Sequence, residues 1–397
     1  MKNEKKAIWI FLLLVGLMTL WLWQFGGSDP EMFDYPEPEL DSDSYWRIDA
    51  HRNQGLPKSA YEEWQSLAQR AYGTHNDAEL LRVMYAGMDI IPQAQEDGQV
   101  EMISLLKTWI PRLRFPMRQI GHSVLGEVYR GYAGSFRWRQ GDQTQLVSDQ
   151  NTDVRTWSLA KLSAEAAKEY ALSLIPADSL RRVPLDYFDA SFRSGYDGRR
   201  YRPSMLDLLA WRATEFYEQP NTSLIQSANR FRINDPIVFA TGIDFDAFAF
   251  PQSDSNSFEL KVLQTFQVLG KNHRFDRDPA ARVMIDLERL KYAAENAVVE
   301  NSDGLFEAAL NDLYQRNRRS DVSAFVAAEL ALYYMRLPYE PEGATSKKNR
   351  WARKRALELV EEALDEYYES DGGRFCANLR NGLLSKEIDV SWKVFKP

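Results

Sequence analysis

Any chemistry in this chain would have to come from its histidines, its close carboxylates or its one thiol. The four histidines are His51, His75, His122 and His273. None shows the four-residue step by which an H-E-x-x-H helix turns two imidazoles toward one zinc ion. In "HRFDRD", His273 stands near Asp276 and Asp278. A lone His–Asp neighbourhood of this kind reads as a surface loop rather than a general base. Asp244 and Asp246 in "GIDFDAFAF" are the one carboxylate pair that could serve a hydrolase. Their i, i+2 step on a loop fits turn and capping roles better. Cys376, in "GGRFCANLRNGLL", has no histidine close in sequence to activate it. With Phe375 and Leu379 beside it, it reads as a buried structural thiol. The cations Lys347, Lys348, Arg350, Arg353, Lys354 and Arg355 could bind phosphates. They precede an acidic stretch, an order that opposes the helix dipole, and they read as a solvated helix face. There is no G-x-S-x-G, no glycine-rich phosphate loop and no dinucleotide fingerprint. The sequence therefore assigns no catalytic, cofactor-binding or metal-ligating residue, and the expectation is a protein that is not an enzyme.

The elements that would carry such groups follow from composition and period. With 397 residues, 44% hydrophobic and 27% charged, the chain can bury a large core. The aromatic share of 13%, with 11 Trp and 19 Tyr, suits helix–helix seams and protein-recognition surfaces. A net charge of −8 argues against nucleic acid as the main partner. A single cysteine excludes an internal disulfide framework and a Cys-cluster metal site.

Residues 1–25, "MKNEKKAIWIFLLLVGLMTLWLWQF", place Lys2, Lys5 and Lys6 before an uncharged apolar run. That run is near the ~20 residues a transmembrane helix needs. The pattern predicts an uncleaved signal-anchor, with "GGS" a poor cleavage site. Lysines before it and acids after it predict a cytoplasmic amino terminus and a body outside, in a periplasm. Residues 26–44, rich in Pro, Asp and Ser, read as an acidic linker, with no EF-hand spacing.

From residue 45 to 384 the period is helical. Tyr61, Trp64, Leu67, Ala68, Ala71 and Tyr72 form one stripe behind Pro57; Leu80, Leu81, Met84, Tyr85, Met88 and Ile91 form the next. Gly73 and Asn76 mark the turn between them. A second pair follows: Val100, Ile103, Leu106 and Ile110, then Ile120, Val124, Leu125, Val128 and Tyr132. Repeating antiparallel helix pairs predict a mainly α fold, a TPR-like α-solenoid without the strict TPR consensus. Residues 133–157 read as a long excursion before a helix from Trp157 to Leu174. Residues 183–203 read as a second loop, with Pro203 starting a helix. Residues 220–256 carry turn residues and little period, and loops of that length are usually functional or cover a groove. Helical pattern returns from Phe258. Residues 385–397 alternate Ile388, Val390, Trp392 and Val394, a β-like tail.

Several stretches in order resemble the amino-terminal helical region of the bacterial alpha-2-macroglobulin-like proteins of the Bacteroidetes. They are "GLPKSAYEEW", "RFPMRQIGHSVLGEVYRGY", "TWSLAKLSAEAAKEYALSL", "VPLDYFD", "YRPSMLDLLAWRATEFY" and "RALELVEEALDEYYESDGGRFCANLRNGLL". The resemblance implies a helical region ahead of β-sandwich macroglobulin domains, in proteins implicated in trapping proteases in the cell envelope. The chain stops at Pro397, and its tail sits where the first sandwich would begin. Cys376 is followed by "ANL" and not by the x-E-Q of a reactive thioester, so protease trapping attaches to no residue here. The expectation is a membrane-anchored, non-catalytic scaffold of such an envelope protein, with a protein partner or downstream macroglobulin domains and no cofactor. The alternative is a stand-alone membrane-anchored TPR-like adaptor for a protein or peptide.

Overall fold

Side-chain caps fix where several of the helices begin. The computed structural model describes residues 40–140, 152–191, 198–219, 231–251, 254, 257–338 and 349–385. The apolar segment 1–25, residues 26–39 of the acidic linker and residues 386–397 of the tail lie outside these. Among the described residues there are sixteen α-helices and no strand, with one antiparallel bridge between Pro184 and Ser204. No helix among them is long and apolar enough to cross a membrane.

Helix α1 (Ser42–Asn53) starts inside the stretch read as linker, because the Asp41 side chain accepts from Ser44 N at 2.9 Å and caps it. Pro57 opens α2 (Pro57–Thr74), where a missing N–H costs nothing. Asn76 caps α3 (Asp77–Ala94) by accepting from Glu79 N. The turn between them is tighter than the sequence suggests. Gly73 stays in the helix, and His75 takes the left-handed conformation at φ 55°. Trp64 is 2% exposed, and its Nε1 donates to Val83 O at 3.0 Å. Gly87 makes room for that ring: a Cβ there would stand 2.6 Å from Trp64 Cζ2. Trp64 and Gly87 lie equally far from the turn, so the two helices run antiparallel. Tyr61, Leu67, Ala68, Ala71, Leu80, Leu81, Met84 and Ile91 are buried with Trp64, whereas Tyr72, Tyr85 and Met88 are half-exposed.

Helix α4 (Gly98–Trp109) and helix α5 (Met117–Gln140) bury Ile103, Leu106, Ile120, Val124, Leu125, Val128 and Tyr132. Helix α5 runs eight residues into the stretch expected to be an excursion. There Ser135 Oγ, in contact with Tyr132 O and Gln99 Oε1, ties that last portion to α4. Helix α6 (Leu159–Ser173) begins at the Ser158 cap, close to the expected start, and lies along α5. Gly126 brings the two together, since a Cβ there would meet the Tyr170 ring at 2.9 Å. Two short helices, α7 (Ala177–Leu180) and α8 (Gly198–Tyr201), precede α9 (Met205–Glu218). Pro203 lies just before α9, and Ser204 and Asp207 start it with a reciprocal capping box.

The remaining helices are α10 (Gly242–Ala247), α11 (Phe258–Asn272), α12 (Ala280–Asn296), α13 (Ser302–Asn317), α14 (Ser323–Arg336), α15 (Ala352–Tyr367) and α16 (Asp371–Leu384). Each long helix packs on its successor from α1 to α6 and from α11 to α16, and α9 packs on α5, α6 and α11. Contacts also skip a helix, as between α3 and α5 and between α14 and α16, and one set spans far more of the chain. On α8, Arg200 reaches Asp278 (2.7 Å) and Asp321 (2.5 Å), Tyr201 meets the Phe325 ring edge-on, and its hydroxyl donates to Asp371 at 3.3 Å.

Candidate functional site

The four histidines sit on separate elements. His75 is the exposed turn residue and His51 ends α1 half-buried. His122 on α5 meets Glu169 on α6, Nδ1 to Oε2 2.6 Å. Among the described residues no three His, Cys, Asp or Glu side chains are placed to hold a metal ion.

His273 differs most from its sequence reading. It is 2% exposed, not on a surface loop. The capping box that starts α9 buries Asp207 completely, leaving Oδ1 to face His273 Nε2 at 2.8 Å while Oδ2 accepts from Ser204. On the other side His273 Nδ1 meets Asp276 Oδ2 at 2.5 Å, and Asp276 Oδ1 accepts from Arg181 at 2.5 Å. Burial alone would push this imidazole down. The hydrogen bonds and charges of Asp207 and Asp276 outweigh it and hold the pKa above its ordinary value. The serine touches the aspartate and not the imidazole, so no hydroxyl is activated, and the ring is closed off from any substrate. Asp278, the other acid read beside His273, pairs with Arg200 instead. The cluster is a tie between α9, the residues after α11 and α7.

The carboxylate pair does not exist as a pair. Asp244 Oδ2 accepts from the N-cap Thr241 Oγ1 at 2.7 Å at the exposed start of α10. Asp246, 2% exposed, turns inward to Arg282 Nη1 at 2.6 Å. Arg282 also engages Asp286 (3.0 Å) and donates to Gly270 O. Arg289, 1% exposed, lies over the Phe245 ring at 4.5 Å and donates to Val238 O and to Ala240 O. Burial raises the Asp246 pKa, and the Arg282 hydrogen bond opposes the rise. Glycines 242 and 270 admit this network, because a Cβ on either would collide with Arg282.

These arginines fasten the segment read as a long functional loop. Within it, residues 231–235 form no regular element and lead into a 3-10 turn (Pro236–Phe239) and α10. Val298 N donates to Ile233 O at 2.7 Å, and Gln267 Nε2 donates to both Phe245 O and Phe248 O at 2.7 Å. Phe250 is ringed by Phe231, Phe245 and Phe248 at centroid distances of 4.9–6.1 Å. Above this aromatic floor lies an open groove of about 360 Å³, with Arg232, Asn234 and Asp235 contributing polar lining. A second hollow of about 310 Å³ adjoins the same segment at Glu259, Asn296 and Val298. Apolar floors with a few polar groups are how peptide and small-ligand sites are built.

Cys376 is fully buried, its Sγ 3.3 Å from Ala324 O, and burial pushes the thiol up to about 11. In the basic stretch, Lys347 and Lys348 lie outside the described residues. The acidic end of α15 is held in ion pairs, Glu362 with Arg318 and Glu361 with Arg380. Sequence reasoning missed Asp207, Arg181, Arg282 and Arg289. Two signals were legible: the S-x-x-D pattern at residues 204–207, and the i, i+4 and i, i+3 steps that aim Arg282 and Arg289 at Asp286. Compared with known proteins, the chain matches no family model, no curated protein and no solved structure.

Proposed function

We propose that this chain is the membrane-anchored, non-catalytic helical scaffold of an alpha-2-macroglobulin-like envelope protein, built as a TPR-like stack of antiparallel helix pairs. The observation that carries the reading is how the ionisable groups are used. The buried clusters His273–Asp207–Asp276, Asp246–Arg282–Asp286 and His122–Glu169 join one element to another, while the accessible concave surface is an aromatic-floored groove. Two of the stretches that resemble the macroglobulin-like proteins fall on helix starts: "GLPKSA" at the beginning of α2 and "RPSMLDLLAWRA" at the α9 capping box. Packing of most long helices on their successors supports the stack. The lysines and apolar run of residues 1–25 support an anchor with the helical body in the periplasm.

The alternative, a self-contained adaptor, is favoured by the groove itself. A photo-crosslinker at the exposed Ala249, in cells bearing the full chain, separates the two. Adducts with a macroglobulin-like β-sandwich region support the scaffold. Adducts with a different protein or a short peptide support the adaptor, and no adduct removes the groove from both. Protease added to spheroplasts should digest the helical body; its protection would overturn the orientation.

A further inference from the structure

On a molecule of net charge −8, four cations, Arg350, Arg353, Lys354 and Arg355, fall within the described residues 349–355. The described part of this stretch is built against helix stability. Trp351 occupies the N-cap of α15 and makes no side-chain capping bond, where Ser, Asp or Asn would add about 1 kcal/mol. Arg353, Lys354 and Arg355 fill the first turn, at the positive end of the helix dipole, and all three are exposed. The nearest acid on the helix, Glu358, lies 3.6 Å from Lys354 with both side chains more than half exposed, which screens little. Glu361 and Glu362, farther along, are engaged by Arg380 and Arg318. Trp351 itself is 57% exposed, with the Arg350 guanidinium 5.3 Å and the Lys354 ammonium 5.9 Å from its ring centre.

We infer that this patch is a docking surface for an anionic lipid bilayer. The reasoning is one of charge and polarity together. An indole left in water beside clustered cations has the amphipathic character of residues that settle at headgroup level, its apolar face in the acyl boundary and its N–H in water. Each cation near an anionic surface adds about fivefold in affinity. The dipole penalty disappears when lipid phosphates sit at the positive helix end, because they compensate the cations and the end together. The acidic surface of the rest of the molecule would be repelled by the same bilayer, so the patch also fixes which side faces it. An acidic protein segment shares part of this chemistry; the exposed ring favours lipid. The inference rests on the anchored reading only in that the anchor would bring a bilayer within reach.

The test uses the full native chain, mixed with vesicles of phosphatidylcholine alone or with added phosphatidylglycerol, and hydroxyl-radical footprinting read by mass spectrometry. Trp351 oxidation should fall severalfold on the anionic vesicles and recover at high salt. Phe275, 84% exposed on another part of the molecule, should stay unchanged. Replacing Arg353, Lys354 and Arg355 together by Gln should lower the affinity for anionic vesicles on the order of a hundredfold and abolish this protection at the same lipid concentration. Equal oxidation on both vesicle types would overturn the proposal. So would protection already present in detergent without lipid, which would mean that protein covers the ring. Flotation of the chain with neutral vesicles reads the anchor separately: failure to float sinks the anchored reading and leaves the patch to be judged on anionic vesicles alone.

Discussion

The Nε2 of His273 lies 2.8 Å from Asp207 Oδ1, 66 positions apart in the chain and with neither side chain open to solvent. Because Nδ1 faces a second carboxylate, Asp276, the site favours the imidazolium, the form in which both ring nitrogens donate. A folded-state pKa held above the ordinary 6.5 contributes stability that is fully present below about pH 6.5. It is lost as pH rises through the folded value. The melting temperature should therefore decline as pH rises above about 6.5. His273→Gln should flatten that decline and cost about 3–5 kcal/mol, since it leaves Asp207 buried without its counter-charge. A melting profile across pH with the same slope in the variant would remove His273 as its source.

Trp64 supplies the second prediction. It fills the seam between α2 and α3, so Trp64→Ala should cost about 3–5 kcal/mol by chemical denaturation. Gly87→Ala should cost about 1–3 kcal/mol from the opposite side, by forcing a methyl into the indole. Glu62→Ala, exposed on the same helix, should stay within about 0.5 kcal/mol. Wild-type stability in Trp64→Ala would identify the stripe as a surface for something else.

The aspartates 244 and 246 should separate cleanly. Arg282→Ala leaves Asp246 and Asp286 facing each other in a buried site and should cost about 3–5 kcal/mol. Asp244→Asn only weakens an exposed cap, and its effect should be below about 1 kcal/mol. Thermal melts of the two variants give the comparison, and similar losses in both would contradict the separation.

Cys376 should be silent toward a maleimide at neutral pH in the native protein and react fully in denaturant. Its thiol is buried, and its pKa, pushed up to about 11, leaves almost no thiolate. Rapid labelling of the folded chain would mean that α16 opens readily from α14.

Local period made the helices legible. Trp64, Leu67, Leu81 and Met84 are buried as their spacing demands. The misreadings have local causes. His75, a residue that tolerates the left-handed conformation only moderately, took the turn that glycine advertised. Ser135 prolonged α5 through a contact with Gln99, which no window of adjacent residues reveals. The ionic ties were hidden for the same reason. Asp207 and His273 each have an ordinary local role, a capping residue and a helix end, and acquire their charge partnership only when α9 meets α11.

The hydrogen bond from Tyr201 to Asp371 spans 170 residues, and with Arg200 on Asp278 and Asp321 it decides how the molecule yields to force. A row of helices gripped only by their neighbours peels from its ends, one layer at a time. Here the last helix is stitched to a point near the middle of the chain. A pull applied through α16 would load these contacts before that helix could unroll. The stretch from α8 to α16 would hold as one body and let go in a single step.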